Sequence, residues 1–354
     1  MIRPLKLLLW SASQLYGLAV AVRNRFYDLG IFRSQAFNLP VICVGNITAG
    51  GTGKTPHVIY LAEKLTPHTR VAVLSRGYLR KSRGFLHVTH DSTTSEAGDE
   101  PLLMAQCLPQ AAVYVDRDRV NGIREIMRAK PRAGAVILDD GFQHRAVKAG
   151  MNILLSDWQR LMTRDHLLPL GMLREHKGAV KRADIIIVTK VPLQITPVET
   201  AGVTDELRAA GFAGTIYFTT LTYSRLKHVF NGTEREITPA TSLLLITGIA
   251  APQPLVDYLG SIAGTMTRLA FPDHYKYTLD DLERITMAFN ALDGKDKLIV
   301  TTAKDAVRLK EITNIAVHVR EALFYLPVSV QFIENEDDFL SKVYSYAGKY
   351  HKDC

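Results

Sequence analysis

Residues 41–56 read VICVGNITAGGTGKTP. Val41–Val44 is a short apolar run, Gly50 to Gly53 supplies three glycines, and a helical pattern follows over His57–Leu65. A strand that enters a glycine-rich loop and opens a helix is a phosphate cradle. Backbone N–H groups of the loop wrap the phosphate, and the helix N-terminus adds positive potential. Lys54 is spaced to reach β- and γ-oxygens, and the Thr55 hydroxyl to bind Mg²⁺. Pro56 sits where a helix needs no N–H. Thr48, Ala49, Gly50, Gly51, Thr52, Gly53, Lys54 and Thr55 are therefore the nucleotide-binding candidates.

The loop departs from G-x-x-x-x-G-K-[ST] in having Thr48 where the first glycine is expected. Its A-G-G-T-G-K-T resembles the loops of ATPases with a K-G-G-x-G-K-[ST] motif, with Ala49 in place of their signature lysine. The Mg²⁺ partner belongs at the end of another strand. Ala135–Leu138 followed by Asp139 and Asp140 matches that pattern, with Gly-Phe-Gln143-His144 behind it. Guanine selection normally needs [NT]-K-x-D. Thr189-Lys190-Val191-Pro192 has proline at the aspartate position, so ATP is the expected nucleotide.

Outward from the loop, short strands apolar on both faces alternate with helical stretches: Val71–Leu74, Ala112–Val115, Ala135–Leu138, Asn152–Leu155, Asp184–Val188 and Thr215–Thr219. Such βα units imply an α/β fold with a doubly wound, mostly parallel sheet. Asn231-Gly232 between extended runs predicts a hairpin. A second set follows at Leu243–Ile246, Thr265–Leu269, Leu298–Val300 and Val328–Phe332. The expected division is an N-terminal helix (1–27), a P-loop domain (28–222), a hairpin connector (223–240) and a smaller α/β domain (241–354).

The 354 residues exceed the roughly 250–300 that one core holds. Hydrophobic residues are 47% and charged residues 22%, ordinary globular values that argue against disorder or a polytopic membrane protein. The net charge of +8 asks for an anionic partner: nucleic acid, a phosphorylated ligand or a membrane. Cys43, Cys107 and Cys354 are scattered without a C-x-x-C pair, so a reducing compartment is expected rather than a disulfide or zinc framework.

Residues 1–26 read MIRPLKLLLWSASQLYGLAVAVRNRF. The 16 residues between Lys6 and Arg23 span about 24 Å as a helix, short of a hydrocarbon core of roughly 30 Å. No clean cleavage site marks a signal peptide. Leu5, Leu8, Leu9, Ala12, Leu15, Ala19, Val22 and Phe26 form one face; Lys6, Ser13, Gly17 and Asn24 lie opposite. Arg3, Lys6, Arg23 and Arg25 bracket the segment, which suits a helix lying in a membrane surface.

Four more polar clusters occupy positions where open α/β sheets place active-site loops. They are Ser75-Arg76-Gly77-Tyr78, Gly98-Asp99-Glu100-Pro101, LLPLGMLRE at 167–175 and Phe271-Pro272-Asp273-His274-Tyr275. With VGNITAGGTGKTP at 44–56, DDGFQH at 139–144, TGIAAP at 247–252 and TTAKDAVR at 301–308, the chain resembles the tetraacyldisaccharide 4'-kinase family, the lipid A 4'-kinases of Gram-negative bacteria. The resemblance runs along nearly the whole chain.

That resemblance implies transfer of the ATP γ-phosphate to the 4'-hydroxyl of an acylated glucosamine disaccharide 1-phosphate, giving lipid IVA, at the cytoplasmic face of the inner membrane. It implies two α/β/α domains on a two-stranded linker, and catalytic roles for Asp99 and His274, with Asp99 as base and His274 tuning it. Lys54, Arg76 and Mg²⁺ would neutralise charge on the transferring phosphoryl group. Thr55, Asp139, Asp140, Gln143 and Glu175 are then candidates for the metal shell, and Tyr78, His144 and Arg174 for substrate contacts. Because Asp99 and His274 come from different domains, the cleft is expected to close to join them, holding them beyond hydrogen-bond reach beforehand. The competing readings are a partition-type ATPase, weakened by Ala49, and a soluble metabolite kinase, which leaves residues 1–26 without a role. Nucleic acid is not expected as a partner.

Overall fold

The structure, a computed structural model, describes residues 3–349. Cys354 and the side chains of Arg3 and Leu5 lie outside what it describes. Fifteen strands follow in chain order: β1 Val41–Asn46, β2 Val71–Ser75, β3 Leu86–Val88, β4 Ala112–Val115, β5 Ala135–Asp139, β6 Met151–Asp157, β7 Ile185–Thr189, β8 Thr215–Tyr223, β9 Leu226–His228, β10 Glu234–Arg235, β11 Ser242–Thr247, β12 Thr265–Ala270, β13 Lys297–Thr302, β14 Leu323–Leu326 and β15 Val328–Phe332. The α-helices are α1 Arg3–Asp28, α2 Lys54–Leu65, α3 Thr94–Ala97, α4 Asp99–Cys107, α5 Arg119–Arg128, α6 Pro197–Ala209, α7 Gln253–Ile262, α8 Leu279–Asn290, α9 Ala303–Lys310, α10 Val317–Glu321 and α11 Glu336–Gly348.

Nine strands form the first sheet, in the order β15-β8-β7-β6-β1-β5-β2-β4-β3. All neighbours are parallel except β3 on β4 and β15 on β8. The strands β1, β2, β5 and β7 are buried along their whole length, which is why they read as continuous apolar runs. Helices α2, α4 and α11 cover one face and α5 and α6 the other. The second sheet has the order β10-β9-β14-β13-β11-β12, with α8 and α9 on one face and α7 on the other.

Two expectations need correction. The Asn231-Gly232 turn does join a hairpin, but β9 and β10 are the edge of the second sheet, not a connector. The connector is a pair of strand runs. β8 passes into β9 and β14 into β15, and Ser224 N–H donates to Pro327 O at 3.3 Å where the two runs cross between sheets. Secondly, Val328–Phe332 does not continue the second α/β set. As β15 it pairs with β8, and α11 then packs on the first sheet through the fully buried Phe339, so the second unit spans the residues between β8 and β15. Truncating Phe339 to alanine would cost about 3–5 kcal/mol.

The long helix α1 docks by its polar side. Ser13 Oγ donates to Leu167 O (2.9 Å), Tyr16 Oη to Arg174 O (2.9 Å), Arg23 to Gln143 O (2.7 Å) and Asn24 Nδ2 to Glu175 Oε2 (2.8 Å). A Cβ on Gly17 would lie 2.6 Å from Leu167 Cδ1, so this close approach uses glycine. The apolar side faces outward: Leu8, Leu15, Leu18 and Val22 are exposed, Leu15 by 70%. No helix among the described residues is long and apolar enough to cross a membrane.

Candidate active site

A cleft of about 1690 Å³ opens where the carboxyl ends of β1, β2 and β5 face the second unit. Residues 49–55, Ser75, Arg76, Tyr78, Asp99, Asp139, Asp140, Arg174 and His274 line it. Thr48, Gln143, His144 and Glu175 do not.

The phosphate loop is braced from below. Gly53 has φ 84°, a left-handed conformation at the helix start that favours glycine. Asn46, the last residue of β1, donates to Thr52 Oγ1 at 2.8 Å and accepts from Lys54 Nζ at 3.3 Å. Thr48 is buried and bridges Leu173, while Ala49 N–H donates to Met172 O at 2.6 Å. The Thr48 position thus serves a backbone pairing with 172–174. Lys190 donates to Gly51 O and to Asp157 at 2.6 Å, and Thr189 Oγ1 to Thr52 O at 2.9 Å. Thr189-Lys190, weighed from sequence only as a guanine reader, holds the loop in place. His57 does the same from α2: its Nδ1–H bonds Gly53 O at 2.8 Å and its Nε2 accepts from Thr219 Oγ1 at 3.0 Å. Burial pushes this imidazole down to about 4, so it is neutral.

Asp139 and Asp140 are treated differently by their surroundings. Asp139 is buried; Ser75 Oγ donates to its Oδ2 at 2.8 Å, and its Oδ1 has no hydrogen-bond partner. Burial, then the charges of Glu100 and Asp140, push its carboxyl up to about 6. Asp140 is also penalised by burial, but Lys54 at 3.6 Å and a two-pronged grip by Arg174 (2.9 and 3.1 Å) hold it below the usual aspartate range. An orphaned carboxylate oxygen next to a second carboxylate, in a cleft that Thr55 also lines, fits a hydrated divalent cation, which takes few protein ligands. No group of three or more His, Cys, Asp or Glu arranged for a metal occurs among the described residues.

Gln143 and Glu175 do not join this group, contrary to expectation. Gln143 Nε2 donates to Asn46 O at 2.8 Å. Glu175 is buried in an ion pair with Arg182 (2.6 Å) and bonded by Asn24. Helix α1 takes up the Glu175 carboxylate and the Gln143 backbone carbonyl where its polar face docks, while the Gln143 side chain braces the end of β1. His144 lies with them, its Nε2 without a partner and its imidazole pushed down to about 4 by burial and the nearby Arg119 charge. Arg174 does face the cleft, and its guanidinium grips Asp140 there.

Asp99 opens α4 directly after Gly98, whose φ is 91° and where a Cβ would lie 2.8 Å from Tyr78 O, leaving no room for a side chain. His274 comes from the second unit, in the loop after β12. Its Nδ1–H donates to Asp99 Oδ2 at 2.8 Å, and Glu100 N–H donates to Asp99 Oδ1 at 2.9 Å. The expected separation of the pair is therefore not found. Burial raises the Asp99 carboxyl, but the bond from His274, its charge and the cations Lys304 and Arg308 outweigh that and leave it depressed. The bond to Asp99 in turn raises His274. The Tyr78 ring meets the imidazole edge-on, centroids 5.4 Å apart, and Arg76 stands exposed at the rim. Sequence reasoning gave no role to Asn46 or His57 and named Ser75 only as part of its cluster, without its bond to Asp139. Of the two residues missed, Asn46 carried a signal, at the strand end just before the loop.

Comparison with known proteins bears on this geometry. The family model described as tetraacyldisaccharide-1-P 4'-kinase matches residues 5–346. Tetraacyldisaccharide 4'-kinases from Phocaeicola vulgatus and Bacteroides thetaiotaomicron are 41% and 40% identical, covering 96% and 93% of this chain and 95% and 90% of their own. The crystal structure of LpxK from Aquifex aeolicus in complex with ATP superposes with a TM-score of 0.76 at 30% identity, over 97% of this chain and 99% of that one.

Proposed function

The chain belongs to the tetraacyldisaccharide-1-P 4'-kinase family, and from that premise we propose how its own residues carry out the reaction. It is an ATP-dependent kinase that phosphorylates the 4'-hydroxyl of tetraacyldisaccharide 1-phosphate, forming lipid IVA in lipid A biosynthesis. The observation that carries the site assignment is the 2.8 Å Asp99–His274 bond, facing the phosphate loop across one cleft.

In this reading residues 49–55 wrap the β- and γ-phosphates, and Lys54 and Arg76 neutralise charge that spreads over the γ-phosphoryl oxygens during transfer. Thr55, Asp139 and Asp140 would hold Mg²⁺, which when bound draws charge from the β- and γ-oxygens. Arg174 fixes Asp140 for that task. The acceptor hydroxyl lies beside Asp99, which takes its proton as the new P–O bond forms and the bond to the β-phosphate oxygen breaks. His274 orients the carboxylate and shares the proton's charge. Tyr78 flanks the acceptor.

A second assignment of the proton has its own support. Both Asp99 oxygens already accept hydrogen bonds, whereas His274 Nε2 has Asp273 no nearer than 3.9 Å. Nε2 then takes the proton and Asp99 holds the ring. The pH profile of kcat separates the two. An acid limb below about 3.8 assigns the proton to Asp99, and one above about 6.5 assigns it to His274.

The outward apolar face of α1, on a helix that also exposes Lys6 and Arg25, supports attachment to a membrane surface, which in this reading is the cytoplasmic face of the inner membrane, peripheral or monotopic. Transfer of labelled γ-phosphate from ATP to a detergent-dispersed tetraacyldisaccharide 1-phosphate tests the activity. Folded protein that transfers none overturns it.

A further inference from the structure

The TTAKDAVR stretch at 301–308 forms the end of β13 and most of α9, and the transfer step above gives it no role beyond the charges of Lys304 and Arg308 near Asp99. Its two faces are occupied differently. Asp305 points back into its own unit, and Arg308 does so with most of its guanidinium while its Nε comes within 4.0 Å of Asp99 Oδ2. Asp305 Oδ2 accepts from Gly248 N–H (3.0 Å) and its Oδ1 from Tyr277 Oη (2.8 Å). Arg308 donates to Gly248 O (3.0 Å) and Tyr275 O (3.3 Å), and bonds Asp305 at 2.8 Å. These contacts pin the loop 271–277, in which His274 sits at φ 56°, a left-handed conformation that needs such support.

The other face of α9 meets α4 of the first unit. Lys304 Nζ bonds Glu100 Oε1, with both side chains about three-quarters buried. Val307 is buried in the hydrophobic cluster of the first sheet, while Ala306 and Leu309 belong to that of the second. At the end of α9, Glu311 accepts from Thr94 N–H and, at 2.7 Å, from Thr94 Oγ1. Glu100 directly follows Asp99. The ion pair therefore ties the helix that supports His274 to the helix that starts with Asp99.

We infer that Lys304 is a positioning residue: its ion pair with Glu100 latches the two units in the arrangement that lets His274 reach Asp99. A largely buried ion pair between helices of the two units is suited to this. It is directional, and one partner left alone at the interface is strongly disfavoured. The inference rests on the Asp99–His274 reading for its effect on catalysis, but not for its effect on the arrangement of the units.

The test uses the full chain with Cys107 and Cys354 changed to serine and spin labels at Val198→Cys and Met287→Cys, exposed positions on α6 and α8. Electron–electron distance measurements then read the separation of the units directly. Lys304→Met is expected to broaden and lengthen the distances and lower kcat by about 30-fold, with ATP affinity within about twofold. Lys304→Arg should retain the short distances and most of kcat. The swap Glu100→Lys with Lys304→Glu should restore the short distances and recover at least about tenfold of kcat over Lys304→Glu alone. Unchanged distances in a folded Lys304→Met protein would overturn the latch, as would a swap that restores neither quantity. Failure of the dyad reading shows separately: Asp99→Asn would keep its activity while the distances still responded to Lys304.

Discussion

The two walls of the cleft are built in opposite ways. On the nucleotide wall, Asn46, Lys54, Asp140 and Arg174 all come from the first sheet and its loops, and each is bonded to another. On the acceptor wall, Asp99 and Glu100 belong to one unit and His274 and Lys304 to the other. The first wall is fixed whenever its domain folds. The second exists only while two domains keep a particular relation. A kinase with this division can hold ATP in a finished pocket and leave the proton acceptor dependent on how its halves meet.

That contrast can be broken most forcefully at its centre. Asp99→Ala is expected to lower kcat by at least about 100-fold while ATP affinity changes little, because the base acts on the acceptor only in the transition state. Titration calorimetry with a non-hydrolysable ATP analogue beside steady-state rates gives both numbers. Parallel losses in both would merge the two walls. Next in size, changing Leu8, Leu15 and Leu18 together to glutamine removes exposed apolar area without touching the docked face of α1. Binding to anionic vesicles should fall by about 100-fold in a flotation assay, with ATP affinity unchanged.

Asn46→Ala probes the nucleotide wall. It strips the Thr52 hydroxyl and Lys54 of a shared partner, and ATP affinity should drop by about tenfold with the label distances of the two units unchanged. The smallest effect is a pH dependence. His274 is raised in the folded protein, so its contribution is complete below about 6.5 and fades as pH rises through the folded value. Asp99 is depressed, so its contribution is present above about 3.8 and is lost as pH falls through its own folded value. The melting temperature difference between wild type and His274→Gln should therefore be greatest near pH 5 and shrink towards pH 8.

The nucleotide wall was readable in the sequence because its signals are local. Strand, glycine loop, lysine and helix are contiguous, and Asp139 and Asp140 end an apolar run. The acceptor wall was readable only through family resemblance, since Asp99 and His274 are 175 residues apart and no periodicity links them. Asn231-Gly232 fixed a turn, yet which sheet its strands joined depended on partners elsewhere. Val328–Phe332 has the composition of any apolar strand, and pairing with β8 rather than β14's sheet is decided by tertiary register. Glu175 was misplaced because its fate was set by Asn24 and Arg182, one of them on a helix read as an anchor.

The crossing strand runs also order events during synthesis. β8 leaves the ribosome about 100 residues before β15, the strand that closes its edge. At roughly 5–20 residues per second, that is several seconds in which a nine-residue strand has one side unpaired. Throughout that interval the whole second unit emerges from the gap. The ATP-binding sheet is thus sealed last, after the domain that brings His274, and a nascent chain stopped short of β15 presents an open template for pairing with other chains.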